Sequence, residues 1–411
     1  MPETSFGSSD SARDRDSIGG TAEPGYHEAI ARFQRLFGGH RGGGALAVYH
    51  RGRKVVDVWT GTADAAATQP WAANTAALSY STSKGITSAV VHRLADRGLI
   101  DYRAPVAEYW PEFGVKGKAR ITVAEAFSHR AGLSRLGMFA HTVDDLSDHR
   151  LMEARLAASA PDRFRGIPAY HAISYGTLMS GLARGVTGQD MSQLYRTELA
   201  APLGTDGLLL GAPTANGPVR LADTHGSSVP LGLRHADTLL RRTAGSHAPG
   251  TGFVRAIYTD GIGRFNSGPD PVILRGEMPG ANGVFTARSI AAVYNMIAVE
   301  NPLLSRKTVR ELAKVQSVFP DRNLLLPLAW RMGFHSVPVP GAPRAFGHIG
   351  FAGSGGWVDP ATELAVGFVH NWAPEVAKLA KDQFVLLGLL PSIVRAAAGQ
   401  THGRGELRRA S

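Results

Sequence analysis

The chain has 411 residues, 44% of them hydrophobic and 19% charged, a globular balance that excludes a disordered chain and allows one large domain or two joined ones. It has no cysteine, which excludes disulfides, thiolate catalysis and cysteine-ligated zinc. The formal net charge of +10 rests on arginine, since only eight of the 44 basic residues are lysine; no basic stretch is interleaved with aromatics, so no nucleic-acid partner is expected.

Residues 1–24 are rich in Ser, Gly, Asp and Arg and lack an apolar segment. They read as a disordered tail rather than a signal peptide, so a cytoplasmic location is expected. No uncharged apolar run reaches the roughly 18 residues that would suggest a membrane span. Tyr26 to Phe37 carries Ile30, Phe33, Leu36 and Phe37 on one helical face. A glycine-rich hinge then leads into residues 45–50, a turn at Arg51-Gly52-Arg53, and residues 55–59, which together predict a β-hairpin.

From Ser79 the pattern turns helical. Ile86, Val90, Val91, Leu94 and Ala95 fall on one face of a helix that Gly98 stops. Thr122 with Glu125 three residues later is a capping-box signature. Ser174 to Val186 predicts a helix closed by Thr187-Gly188. Residues 204–283 have weak periodicity and read as substrate loops with short elements.

The last third predicts helices over 289–299 and 307–315, then strands over 331–334, 355–358 and 363–369. A final helix is expected over 374–398 and a flexible tail over 399–411. Strands at both ends with helices between them predict an α+β fold. Its sheet domain would comprise residues 25–75 and 284–398, flanked by helices, with residues 76–283 as an inserted, mainly helical domain.

Ser81 and Lys84 form the only Ser-x-x-Lys in the chain. On a helix the lysine amine lies one turn above the serine, within reach of its proton. The helix N-terminus offers free N–H groups to a developing negative charge. Taken alone, the motif also fits a serine-capped helix carrying a solvated lysine. The order of the downstream triplets decides between the two: Tyr170-His171-Ala172 lies just before a helix, and His348-Ile349-Gly350 lies before a glycine-rich stretch and a strand.

This order resembles the serine β-lactamase and penicillin-binding-protein superfamily, and within it the family VIII carboxylesterases with their class C β-lactamase and D-alanyl-D-alanine peptidase cousins. The likeness runs from about residue 25 to 395. It includes Val55 to Trp59, Glu108 to Phe113, Ser128 to Leu133, Asn282-Gly283 and Ser354-Gly355-Gly356. The resemblance implies a β-lactamase/transpeptidase-like fold and a serine hydrolase without metal or organic cofactor. Ser81 would be the nucleophile, and Lys84 and Tyr170 a coupled acid–base pair in which either could be the base. The backbone N–H groups of Ser81 and Phe351 would form the oxyanion hole, beside His348 and Gly350. His171, Phe351 and Trp357 are candidate pocket walls, and His129 is expected to be structural.

Penicillin-recognising relatives commonly carry Lys-Thr-Gly where this chain has His348-Ile349-Gly350. A neutral histidine and an isoleucine supply neither fixed charge nor hydroxyl for a substrate carboxylate. The expectation is therefore a carboxylesterase acting on short to medium neutral acyl esters. A β-lactamase or D-amino-acid peptidase, an acyltransferase to an alcohol, and a silent binding protein on the same scaffold are the alternatives. No Gly-x-Ser-x-Gly occurs, which excludes an ordinary α/β-hydrolase nucleophile.

Overall fold

The computed structural model describes residues 4–6, 17–38, 42–224, 236–246, 248, 250–372 and 382–409. Its frame is an antiparallel sheet of eight strands, to which both halves of the chain contribute. From the N-terminal side come β1 (Thr4–Phe6), β2 (Ile18–Ala22), β3 (Gly43–His50) and β4 (Arg53–Gly61). β3 and β4 form the expected hairpin. Arg51 and Gly52 close it with φ of 53° and 77°, the paired positive values that match a two-residue turn to right-twisting strands.

Four short strands, β5 (Thr75–Leu78), β6 (Leu208–Leu210), β7 (Arg220–Leu221) and β8 (Gly283–Phe285), make a second sheet of order β6-β8-β5-β7. The chain then returns to the large sheet as β9 (His335–Ser336), β10 (Phe346–Ile349), β11 (Gly355–Asp359) and β12 (Leu364–His370). The large sheet runs β1-β2-β4-β3-β12-β11-β10-β9, so β3 and β12 join the two ends of the chain through seven paired residues, His50↔Leu364 to Gly44↔His370.

Side chains alternate across these strands as the pleat demands. Leu46, Val48, Val366 and Phe368 pack with Phe33 and Phe37 of the helix His27–Phe37 and with Leu386, Leu389 and Ile393 of the last helix. On the other face, Ala47, Ala365 and Val369 pack with Ile290, Ala291 and Tyr294 of the helix Ala287–Ala298, continuous with the core of the helical region. Between that region and the sheet runs the helix Thr82–Asp96, which touches β10, β11 and the helix Ser174–Thr187.

Every residue from Thr82 to His92 is buried, so the helix is enclosed rather than amphipathic. Its polar side chains are satisfied internally: Thr87 Oγ1 donates to Pro279 O at 2.6 Å, and Ser88 Oγ donates to Lys84 O at 2.6 Å. The capping box at Thr122 and Glu125 is present.

Three expectations are corrected. Ile18–Ala22 is not part of a disordered tail but a sheet strand paired along β4 from Thr60 to Val56. Its glycines leave room for the partner strand: a Cβ on Gly19 would fall 2.4 Å from Trp59 Nε1, and one on Gly20 would fall 2.0 Å from Asp57 O. Arg331 to Phe334 is not a strand, because Gly333 turns the chain at φ 81° and only His335–Ser336 pairs with β10. The last helix spans Val385–Arg409, so residues 399–409 continue it instead of forming a flexible tail. Residues 374–381 of the expected helix lie outside the described residues.

Candidate active site

Tyr80, the residue before Ser81, has φ 46°, a left-handed conformation that a tyrosine adopts only under constraint from its surroundings. This kink ends the run from β5 and turns directly into the helix Thr82–Asp96, with Ser81 as its N-cap. Ser81 is half-buried, so its hydroxyl stays reachable while the helix behind it is sealed.

Lys84 is fully buried, one turn into that helix. Its Nζ lies 3.0 Å from Ser81 Oγ and donates to Ala172 O and Gly280 O, both at 2.6 Å. Burial drives its pKa well below the ordinary lysine value. A neutral amine has two N–H donors and one lone pair. The two carbonyls use both donors, which leaves the lone pair for the serine proton.

On the other side, Tyr170 donates its hydroxyl to Ser81 Oγ at 2.7 Å. Burial raises the phenol pKa, so the group keeps its proton. Lys84 Nζ stands 4.9 Å from the Tyr170 ring centre. Ser81 Oγ thus sits between an amine suited to accept a proton and a phenol suited to donate one.

The loop Pro279–Gly283 supplies the Gly280 carbonyl. It is pinned by Gly283 N donating to Ser83 Oγ at 2.8 Å, by Ser79 N donating to Gly283 O at 2.8 Å, and by Asn282 Oδ1 receiving Met278 N at 2.9 Å. The Asn282-Gly283 pair therefore acts through backbone placement.

At the other edge, β10 carries His348 towards the site and is followed directly by Gly350. A Cβ there would fall 2.3 Å from Ser79 O and 2.7 Å from Thr82 Oγ1. Only glycine lets β10 press this closely on the start of the helix. Thr82 Oγ1 donates to Ser354 O at 2.9 Å, fastening helix to strand loop. Phe351 comes immediately after, half-exposed, with its ring 5.8 Å edge-on from Tyr80.

His348 is buried. Its backbone N donates to Tyr294 Oη at 3.1 Å, and its Nδ1 lies 3.3 Å from Gly333 O. Burial, with His335 and Lys84 close by, holds its pKa well below the usual value, so it is neutral.

Two expected pocket walls are not walls. His171 is buried with both ring nitrogens engaged in the loop, Nε2 accepting from Leu133 N at 3.1 Å and Nδ1 lying 2.7 Å from Ala169 O. Trp357 points into the core on the far face of the sheet, where Nε1 donates to Val337 O at 2.9 Å. Position along a strand does not reveal which face looks at the site, and Trp357 occupies the apolar one. His129 is buried and accepts His171 N on Nδ1 at 3.1 Å.

Some residues of the site carry no signal in the sequence. Asp321 Oδ1 accepts from the backbone N–H of Tyr170 at 3.1 Å, and Asn323 Nδ2 donates to Tyr170 O at 2.9 Å. The Trp330 ring stacks on Tyr170 at 5.7 Å and 6°, and its Nε1 donates to Asp321 Oδ2 at 3.0 Å. The Asp-x-Asn spacing at 321–323 signals an Asx turn at most; nothing in the sequence names its partner.

A family model described as Beta-lactamase matches residues 27–389. The chain belongs to the beta-lactamase family. It is 46% identical over 396 residues to the esterase/beta-lactamase LipL of Mycobacterium tuberculosis, covering 94% of this chain and 90% of LipL. Among solved structures it is similar to a family VIII carboxylesterase, with 29% identity, a TM-score of 0.76, 92% of this chain and 100% of that one. It is also similar to EstA from Arthrobacter nitroguajacolicus Rue61a, with 26% identity, a TM-score of 0.75, and 92% and 98% covered. This member of the family is a serine hydrolase with the β-lactamase/transpeptidase-like fold.

One group of metal-ligating types, His149, Asp190 and Glu277, has donor atoms within 4.8 Å of one another. Arg150 sits 2.7 Å and Arg184 3.6 Å from Asp190 Oδ1, so the group reads as an ion-pair network.

Proposed function

We propose that the protein is a carboxylesterase that hydrolyses neutral acyl esters through an acyl-enzyme on Ser81. The observation that carries this is the placement of Ser81 Oγ 3.0 Å from the buried Lys84 amine and 2.7 Å from the Tyr170 hydroxyl. Ser81 Oγ attacks the ester carbonyl as its proton passes to Lys84 Nζ. The carbonyl oxygen becomes an oxyanion facing the N–H groups of Ser81 and Phe351. The C–O bond to the alcohol then breaks. Tyr170 gives its proton to the departing alkoxide and regains one from the Lys84 ammonium. Water repeats the sequence against the acyl-serine, releasing the acid and restoring all three groups.

The substrate class is argued from His348. A neutral imidazole followed by Ile349 offers no cation to a carboxylate. Uncharged esters are favoured over β-lactams and peptide C-termini, which carry one. The relative LipL is named for both activities, so β-lactam hydrolysis is the second reading.

The two separate in one experiment: turnover of p-nitrophenyl acetate, butyrate and octanoate beside nitrocefin, by the wild type and by Ser81→Ala. Ester turnover lost in the variant, with nitrocefin slow or inert, is the expected result. Efficient nitrocefin turnover would overturn the ester preference. Ester turnover surviving in Ser81→Ala would overturn the mechanism.

A further inference from the structure

Beside the loop that holds Tyr170, the surface turns apolar. Val318 is 71% and Phe319 68% exposed, and Leu325, Leu326 and Ile167 are exposed as well. They come from two segments lying side by side, since Arg322 N donates to Pro168 O at 3.0 Å. Single exposed apolar residues are ordinary; five on adjoining segments mark an interaction surface.

Leu325 adds a second sign. It is held at φ 58°, with its N–H donating to Asp321 O at 2.7 Å, so the backbone tolerates a strained conformation at an outward leucine. Beneath the rim, Leu324, Leu328, Phe253 and Ile257 pack against Tyr170 and Trp330. The exposed apolar rim is therefore continuous with the packing around Tyr170.

The charged groups of the rim are mostly basic. Arg163 and Arg322 flank the Phe164 ring at 4.7 and 3.6 Å, and Arg165 is exposed next to them. Burial lowers the Arg255 pKa most; nearby Arg135 and Arg322 lower it further, and Asp162 opposes them. Asp162, 3.7 Å from Arg322, is the acid among them. No helix among the described residues is long and apolar enough to cross a membrane, whereas an apolar rim beside a cluster of arginines suits attachment to one.

We propose that this face docks on an anionic lipid–water interface and that the enzyme draws its ester substrate from there. A second copy of the chain is the poorer occupant, because face-to-face pairing would bring the two arginine clusters together. The substrate clause rests on the carboxylesterase reading; the docking clause does not.

The test is flotation of the full-length chain with vesicles of phosphatidylglycerol and phosphatidylcholine, and with phosphatidylcholine alone. Wild type should float with the anionic vesicles about tenfold more tightly, and high salt should weaken the preference. Phe319→Ser/Leu325→Ser/Leu326→Ser should lose binding about tenfold, and Arg163→Glu/Arg165→Glu should lose the anionic preference. Both should keep p-nitrophenyl acetate turnover within about twofold of wild type, the rim being outside the reacting groups.

Absent flotation, or flotation unchanged in the triple variant, would overturn docking. So would a wild-type dimer in sedimentation velocity that the triple variant abolishes. Flotation as expected with no acetate turnover by the wild type would instead remove the substrate clause and the esterase reading together.

Discussion

Asp321 and Tyr170 are separated by 151 residues, yet the Asp321 carboxylate receives the Tyr170 backbone N–H at 3.1 Å. The same oxygen takes the N–H groups of Asn323 and Leu324, and the second oxygen takes Trp330 Nε1. One buried carboxylate thus fixes both the backbone of Tyr170 and the indole stacked on its ring. Asp321→Asn leaves a single acceptor oxygen for these donors and turns an NH2 towards one of them. The expected cost is about 1–3 kcal/mol in denaturant unfolding. A fall in kcat of about tenfold, with KM changed little, is expected from the displaced Tyr170. Wild-type kcat in a folded variant would contradict this positioning role.

Gly350 sets how near Phe351 comes to Ser81. In Gly350→Ala the new methyl meets Ser79 O at 2.3 Å, so strand and helix must part. On the proposed mechanism this moves one oxyanion donor and should lower kcat about 10²–10³-fold. Steady-state kinetics on p-nitrophenyl butyrate checks this, and a circular-dichroism melt confirms that the variant is folded.

The proposed mechanism needs a neutral Lys84 to take the serine proton, and burial lowers its pKa. Activity should therefore fall on acidification as the amine protonates, and its rise with pH should be complete below the ordinary lysine value of about 10.4. A kcat/KM profile still climbing towards pH 10 would contradict a depressed Lys84. Tyr170→Phe should reduce turnover about 10²–10⁴-fold, by loss of the acid.

Buried histidines predict the acid limit of the fold. His92, His171 and His370 are pushed down to about 4, and His129 and His348 are also driven well below the usual value, with desolvation the main cause. The unfolded chain then binds more protons than the native one below about pH 6.5. Each histidine's stabilising share is complete above that pH and lost as the pH falls, at about 1.4 kcal/mol per unit. Urea unfolding between pH 7 and 4.5 should show a steeply falling stability. A flat profile would contradict the buried, neutral histidines.

The sequence carries the spine of the candidate site. Ser81 and Lys84 are legible because one helical turn is a local relation, and Tyr170 and His348 because their order resembles a known family. Ala172 O and Gly280 O, which engage the Lys84 amine, are not legible, since backbone carbonyls leave no residue signature. Asp321 is hidden because it acts across a tertiary contact from an exposed loop. The strand Ile18–Ala22 is disguised because its two glycines look like linker, whereas they make room for Trp59 and β4. Trp357 is ambiguous because β11 is buried on both faces, and alternation cannot then say which face looks at the site.

The central claim is a covalent acyl group on Ser81. Wild type and Ser81→Ala would each be acid-quenched during turnover of p-nitrophenyl butyrate, and their intact masses and peptide maps recorded. The account predicts a gain of one butyryl group on the wild type alone, located on the peptide that holds Ser81. A butyryl group on another residue, or turnover retained by Ser81→Ala, would contradict it.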